Sequence, residues 1–256
     1  IAPVHSLVSK VMNGVGKPDL IIPAGASPHE YQLKPSNAKS LQNADIVFWI
    51  GEDLTPWLEK GLSSLTQDAS ITSLLGVDGI KLLSFREGAL FEAHDHGDHD
   101  DHDDHDDHDH GKEKHDDHDD HDDHEGHAHG EHDPHAWLSP QIAKVWLNVI
   151  AAKLSEVDPD NAAKYFSNAK SARDNVDSLV SEVNSILDPM REKKFVVFHD
   201  AYQYFERDFG ISASGAISLG DASDPSPARL AEIRKRVVDE AVECVLAEPQ
   251  YNQGTV

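Results

Sequence analysis

A stretch of low complexity interrupts this 256-residue chain and limits where a folded core can form. Between Glu92 and Asp133 the chain carries 20 acidic residues and two lysines, and its commonest pattern is a repeated Asp-Asp-His. Such a stretch has too few apolar side chains to bury, and its like charges repel one another. We therefore predict that residues from about 93 to 133 form a disordered insert, with folded structure on both sides of it.

The charge and composition of the chain exclude several classes of protein. The formal net charge is −25, of which −18 belongs to the stretch just described, so the remaining residues carry an ordinary −7. No basic face is available to neutralise phosphates, which excludes a nucleic-acid-binding protein. No run approaches the roughly 18 consecutive apolar residues of a transmembrane helix. The single cysteine, Cys244, excludes an internal disulfide.

Short apolar runs alternate with helical patterns before the insert. We predict strands at Asp19–Pro23, Asp45–Ile50 and Ser70–Leu75. Ser36 is the expected N-cap of a short helix, and Thr55 is a second cap that is followed by proline at the first helical position. The second of the three runs is almost continuously apolar, which is typical of a parallel strand buried on both faces. This alternating order favours a parallel sheet covered by helices.

The pattern after the insert is similar. Ser139 caps a helix that begins with proline, and a longer helical pattern runs from Pro159 to Leu187 without a break. Further elements are predicted as strands at Lys194–Phe198, Ile211–Ile217 and Cys244–Ala247, and helices at Ala201–Phe209 and Pro227–Asp239.

The predicted fold class is therefore α/β, with two doubly wound α/β lobes joined by one long helix. The first lobe covers residues 1–155 and includes the insert, the linking helix covers 156–188, and the second lobe covers 189–256. A doubly wound lobe normally continues with a helix and more sheet after such a last strand. We therefore expect the second lobe to be incomplete, that is truncated, in this chain.

The insert is rich in a metal-binding side chain. Imidazole binds zinc, copper, iron and nickel, and short histidine-rich tracts are typical of metal binding. Spacings of two and three residues let neighbouring imidazoles and carboxylates share an ion without a preformed fold, so we predict accessory sites of low affinity. The histidines concerned are His94, His96, His99, His102, His105, His108, His110, His115, His118, His121, His124, His127, His129 and His132.

Three other histidines lie at matching points of the predicted fold. His29 and His199 each follow a predicted strand, and His135 comes just before a helix. Ligands bind beside the carboxyl ends of strands in open α/β sheets, so a cleft between two lobes can collect all three imidazoles. Three imidazoles and one further position form a zinc-like ligand set. Glu248, at a strand end, either faces this cleft or is solvated, and His5, on an apolar helix face, is expected to be structural.

Two other functions remain compatible with these residues. A nickel or copper storage protein would use the insert as its functional part. A zinc-dependent hydrolase or hydratase would use three imidazoles and a metal-bound water, with Asp200 or Glu248 as the available base. The metalloprotease motif His-Glu-x-x-His is absent, because Leu33 occupies the position of its second histidine after His29.

Several longer motifs resemble one known family. They are GASPHEYQLKPS, LQNADIVFWIGEDL, DPHAWLSP, FVVFHDAYQYF and VLAEPQ. Together with the insert, they make the chain similar over nearly its whole length to the periplasmic zinc-uptake binding proteins of bacterial ABC transporters. The resemblance implies a periplasmic receptor without enzymatic activity, which binds Zn²⁺ as its cargo and delivers it to a membrane permease. We expect this receptor to be a monomer.

The resemblance also implies the ligand set. It assigns metal ligation to His29, His135 and His199, and it implies zinc because manganese-type relatives have a glutamate in place of the third histidine. Some zinc-type relatives have an acidic residue where this chain has Pro28, and others use an aspartate in a C-terminal loop. The fourth ligand therefore stays open between water, a histidine of the insert and a residue beyond this chain. Some relatives pair a cysteine resembling Cys244 with a second cysteine that this chain lacks.

Overall fold

The computed structural model describes residues 1–66, 68–86, 132–218, 225–251 and 254. They form a mixed α/β fold that contains one long helix. The described residues up to position 157 are called the first part of the molecule here. Its elements are α1 (Ala2–Val11), α2 (Pro35–Gln42), β1 (Ile46–Trp49), α3 (Pro56–Leu65), β2 (Ser70–Ser73) and α4 (Pro140–Val157).

The long helix is α5, and it covers Ala162–Leu187. The described residues from Phe195 onward are called the second part. Its elements are β3 (Phe195–His199), α6 (Gln203–Phe209), β4 (Ala216–Ser218), α7 (Pro227–Asp239) and β5 (Cys244–Leu246). Short 3₁₀ turns cover Ala136–Leu138, Pro159–Asn161 and Asp188–Met190.

Local signals in the sequence explain where two of the helices begin. The Ser139 hydroxyl accepts a hydrogen bond from the Ile142 N–H at 3.2 Å, and the Ser226 hydroxyl accepts one from the Arg229 N–H at 3.2 Å. Both serines are followed by proline, whose fixed φ suits the first helical position. The predicted start of α4 and the predicted bounds of α7 are confirmed.

The sheet of the first part contains β1 and β2 in parallel, with Ile46 opposite Ser70, and α3 forms the crossover between them. The structure therefore confirms the strands predicted around Asp45–Ile50 and Ser70–Leu75. All four residues of β1 are only half-buried, however. The expectation of a strand buried on both faces is wrong for β1, because helices do not cover it completely.

Two predictions near the start of the chain are wrong. Residues 19–23 form no strand in the described structure, since the Ile21 carbonyl accepts a hydrogen bond from the Asn37 side chain at 3.1 Å instead of joining a ladder. Ser36 does not cap α2. The helix begins two residues earlier than that cap predicts, at Pro35 with Lys34 as the N-cap, because proline is favoured at the first helical position.

The sheet of the second part is parallel and has the strand order β4-β3-β5. The central strand, β3, has all five residues buried, with Phe195 and Val197 in one apolar cluster and Phe198 in another. The chain moves from β3 to β4 on one side and then to β5 on the other side. The carboxyl end of β3 is therefore a topological switch point, where α/β folds bind ligands, and its last residue is His199.

The largest core lies where α1, α4 and α5 pack on one another and on the first sheet. Trp146 of α4 is completely buried there, and its indole N–H donates to the Leu74 carbonyl at 2.9 Å. Tyr204 of α6 is buried in the same core, so the second part contributes a side chain to the core of the first. The predicted long helix is confirmed from Ala162, and the residues from Pro159 form a 3₁₀ turn before it.

Candidate metal centre

His29 lies half-buried in the loop that precedes α2. The indole N–H of Trp57 donates to the carbonyl of Pro28 at 2.9 Å, which ties this loop to α3. The Tyr31 hydroxyl donates to the side chain of Asn37 at 3.1 Å, which ties the far end of the loop to α2. The loop is therefore tied to a helix on either side of the histidine.

His135 lies immediately before the 3₁₀ turn that leads to α4, and it is 2% exposed. Its Nδ1–H donates to Asp133 Oδ1 at 2.7 Å, and its backbone N–H donates to the same oxygen at 2.9 Å. Nδ1 must carry the proton, because an ionised carboxylate only accepts hydrogen bonds. The other ring nitrogen, Nε2, is buried and has no hydrogen-bond partner among the described residues. It is therefore available as a metal ligand.

His199 is the last residue of β3 and is 4% exposed. Its Nδ1 lies 3.7 Å from Glu248 Oε1 and 3.4 Å from the hydroxyl of Tyr251, and both of these residues follow β5. The aromatic ring of Tyr251 also packs edge-on against the imidazole, with ring centroids 5.4 Å apart. These neighbours lie on the Nδ1 side of the ring.

The three histidines meet. The ring centroids of His135 and His199 are 4.8 Å apart, and each is 5.6 Å from the centroid of His29. One ligand atom from each ring lies within 4.8 Å of the other two. Among the described residues, this is the single group of three or more histidine, cysteine or acidic side chains with the spacing of a metal site. We call these three residues the imidazole triad.

A buried ion cluster lies next to the triad. Arg86 bonds to both oxygens of Asp200, the residue after His199, and its two terminal nitrogens each donate to a Glu206 oxygen at 2.9 Å. Burial raises the pKa of the Asp200 carboxyl, and the guanidinium of Arg86 opposes that shift. Both carboxylate oxygens of Asp200 therefore accept hydrogen bonds from Arg86.

Two tyrosines near the triad keep their protons at neutral pH. Burial raises the pKa of Tyr204 to about 12, and its hydroxyl donates to the Asp133 carbonyl at 2.8 Å. Burial and the neighbouring Glu248 carboxylate raise the pKa of Tyr202 as well. Both hydroxyls therefore act as hydrogen-bond donors beside residues that contact the triad.

The structure places the other predicted site residues as follows. Glu248 lies beside His199 but outside the triad, and one of its oxygens is buried without a hydrogen-bond partner among the described residues. His132, assigned to the accessory sites, is half-buried and forms an antiparallel bridge with Ser84. The remaining accessory histidines, from His94 to His129, lie outside the described residues.

Several residues that support the triad were not predicted from the sequence. Asp133 was assigned to the end of the disordered insert, but it is 1% exposed and orients His135, so that end of the insert was placed too late. The spacing Asp-Pro-His was the available signal, since a carboxylate two residues before a histidine can reach its backbone N–H and its ring. Arg86 and Tyr251 were missed because no local pattern links them to histidines far along the chain.

Comparison with known proteins identifies the family. A model of the family described as the periplasmic component A of the zinc-uptake complex, ZnuA, matches residues 1–256. The chain belongs to the ZnuA family. The high-affinity zinc uptake system protein ZnuA of Brucella abortus is 47% identical over 100% of this chain and 77% of its own length. The protein of the same name from Paracoccus denitrificans is 48% identical over 98% of this chain and 75% of its own.

Solved structures share the fold. A crystal structure of ZnuA has a TM-score of 0.76 and 22% identity, covering 99% of this chain and 82% of its own. A mutant manganese-bound periplasmic metal-binding protein of Candidatus Liberibacter asiaticus has a TM-score of 0.68 and 18% identity, covering 95% of this chain and 76% of its own. Both solved structures therefore have the fold of this chain. No described helix is long and apolar enough to cross a membrane.

Proposed function

We propose that this chain is the zinc receptor of a zinc-uptake ABC system and that His29, His135 and His199 hold the ion. The observation that carries the proposal is the meeting of three imidazoles from three separate segments within 4.8 Å. Imidazole nitrogen suits zinc, whereas carboxylate oxygen suits manganese. The close relatives from Brucella and Paracoccus, named as zinc-uptake proteins, support the same ion.

The spacing of the triad fits a tetrahedral zinc ion after a small contraction. Zinc binds imidazole nitrogen at about 2.0–2.1 Å, so two ligands of one tetrahedral ion lie about 3.3 Å apart. Ligand atoms within 4.8 Å of one another reach that spacing by small rotations of the rings. Three imidazoles leave one coordination position for water or for another side chain. An incoming ligand can bind at this position, and this allows the ion to be released.

The hydrogen bond at Nδ1 of His135 selects the nitrogen that binds the metal. Asp133 holds the proton of His135 at Nδ1 and leaves Nε2 for zinc. A hydrogen-bonded carboxylate partner of this kind fixes the tautomer and increases the basicity of the ligand nitrogen. At His199, Glu248 Oε1 lies 3.7 Å from Nδ1, beyond hydrogen-bond distance, so it places a carboxylate on that side of the ring without fixing the tautomer.

The ligands lie where a cleft between two lobes would place them. In this proposal residues 1–155 and 189–256 are the lobes, residues 156–188 join them, and zinc binds between them. The histidines of the insert are accessory ligands of lower affinity that gather zinc near the cleft. The ion is cargo rather than a catalytic metal, and the receptor acts in the periplasm as a monomer that docks on a membrane permease.

A zinc titration against a competing chelator tests this function. Three proteins are compared: the full chain, a variant lacking residues 95–131, and the full chain with His29→Ala, His135→Ala and His199→Ala together. We expect one tight zinc per molecule in the first two proteins. The triple variant should lose that tight ion and keep only weaker binding by the insert.

The matched control is His5→Gln, which replaces a histidine of α1 that lies outside the triad. His5 donates from Nε2 to the Pro18 carbonyl at 3.0 Å, and this variant should bind zinc like the parent chain. Tight binding that survives in the triple variant and disappears with residues 95–131 would overturn the proposal. The chain would then be a metal-storage protein.

A further inference from the structure

The segments that carry His135 and His199 are each held by residues from the other part of the molecule. His135 belongs to the first part, and its carboxylate partner is Asp133. Gln203 of α6, in the second part, donates from its amide to Asp133 Oδ2 at 3.1 Å. Tyr204, next along the same helix, donates to the Asp133 carbonyl at 2.8 Å. The orientation of His135 therefore depends on α6.

The reverse contact starts in the first part and ends beside His199. Arg86 follows β2 along the chain, and its guanidinium bonds to Asp200 and Glu206 of the second part. The side chains of these carboxylates are 8% and 7% exposed, and that of Arg86 is 18% exposed. Charge-assisted bonds in such a buried setting are directional and strong. They hold the turn that directly follows the last residue of β3.

Further hydrogen bonds join the same two surfaces. The Leu83 N–H donates to the Tyr204 hydroxyl at 3.0 Å, and the amide of Gln203 donates to the Ser84 carbonyl at 3.0 Å. The Asp133 N–H in turn donates to the Leu83 carbonyl at 2.8 Å. Gln203 thus bridges two segments of the first part that lie on either side of the long acidic stretch. None of these bonds involves a metal ligand atom, so they form whether or not an ion is bound.

We infer that Gln203 and Arg86 are positioning residues of the metal centre. Each one joins one part of the molecule to the other, and together they set the distances between the three imidazoles before zinc binds. The inference rests on the proposed zinc function and extends it to residues that do not touch the ion. A preset site loses less conformational freedom on binding, and this lowers the free energy cost of capturing the ion. Loss of a partner that orients a metal ligand typically weakens metal affinity by roughly 10–100-fold.

Gln203→Met is the principal test, because it removes both donated hydrogen bonds and keeps the length of the side chain. We expect zinc affinity of the full chain, measured by chelator competition, to fall about tenfold. One equivalent of Co²⁺ in place of zinc should show a changed visible absorption spectrum, since this spectrum reports ligand geometry. Gln203→Lys restores donors toward Ser84 and Asp133 and should recover affinity and spectrum. Gln141→Met, the same change at an exposed position of α4, should alter neither.

Arg86→Lys is the second test. Lysine keeps the charge but cannot bond to both carboxylates at once, so zinc affinity should again fall and the cobalt spectrum should change. If Gln203→Met and a folded Arg86→Lys both match the parent chain in affinity and spectrum, the inference is wrong. If Arg86→Lys fails to fold, as judged by circular dichroism, Gln203→Met and its rescue by Gln203→Lys decide alone. Tight zinc binding in the triple histidine variant would instead contradict the proposed function itself.

Discussion

His135 is 2% exposed and shares its Nδ1 proton with a buried carboxylate, whereas His29 lies half-buried in a loop before α2. The segment of His135 is held at Asp133 by Gln203 and Tyr204. The loop of His29 is held at Pro28 by the indole N–H of one tryptophan. Both histidines are imidazoles of the triad, yet the contacts that hold their segments are of different kinds: a carboxylate bonded to the His135 ring, and an indole bonded to the backbone beside His29.

This difference teaches how a receptor can combine affinity with release. A ligand on a segment fixed by several hydrogen bonds binds the ion without reorganisation, whereas a ligand on a loop with fewer hydrogen bonds can change position as the ion binds or leaves. We therefore expect His135 to dominate affinity and coordination geometry. His29 is expected to be the ligand that adapts when zinc enters and leaves.

The largest effect should come from removing a ligand from the braced segment. His135→Ala should weaken zinc binding by more than the roughly 100-fold limit typical of an orienting partner, because a ligand is lost and Asp133 is left buried without its ring partner. His29→Ala should have a smaller effect. Chelator competition on the two variants gives the ranking, and an equal or reversed order would break the comparison.

The next effect should come from the carboxylate that orients His135. Asp133→Asn keeps the shape of the side chain but removes its charge, so zinc affinity should fall by about 10–100-fold. Asp45→Asn makes the same change at an exposed position and serves as the control. If both variants bind zinc equally well, the support of His135 has no bearing on affinity.

A smaller effect is expected at the loop of His29. Trp57→Phe keeps an aromatic ring but removes the hydrogen bond to Pro28, which is worth about 1 kcal/mol. If all of this free energy is lost from the bound state, zinc affinity falls by about fivefold. Trp49→Phe removes an indole bond to Thr55 that does not involve the backbone of this loop, and it should change only the melting temperature. A loss as large as that of Asp133→Asn would show that the loop is not lightly held.

The smallest effect on zinc is expected at His5, a histidine of the folded structure outside the triad. His5→Gln retains a side-chain donor for the Pro18 carbonyl. Zinc affinity should be unchanged, and the free energy of unfolding should fall by no more than about 1 kcal/mol. Calorimetry gives both quantities, and a loss of zinc affinity would extend the centre beyond the three histidines.

Local patterns predicted much of the fold. The residues that cap α4 and α7, and the apolar runs of β1 and β3, act within one turn or one strand, so their signals survive in the linear sequence. Residues 19–23 have the apolar pattern of a strand but no ladder partner among the described residues. The strand prediction failed there because a strand is completed by a neighbour that its own sequence does not contain.

The sequence by itself determined the chemistry of this protein: three imidazoles at the ends of predicted elements, and a long acidic, histidine-rich stretch between two folded regions. Only the tertiary structure decided that the three rings meet, which nitrogen of His135 is available, and that Arg86 and Gln203 support the ligands of the opposite part. The physical reason is sequence distance. Gln203 and Asp133 are 70 residues apart, and Arg86 and Asp200 are 114 apart, so packing of the whole chain brings these partners together.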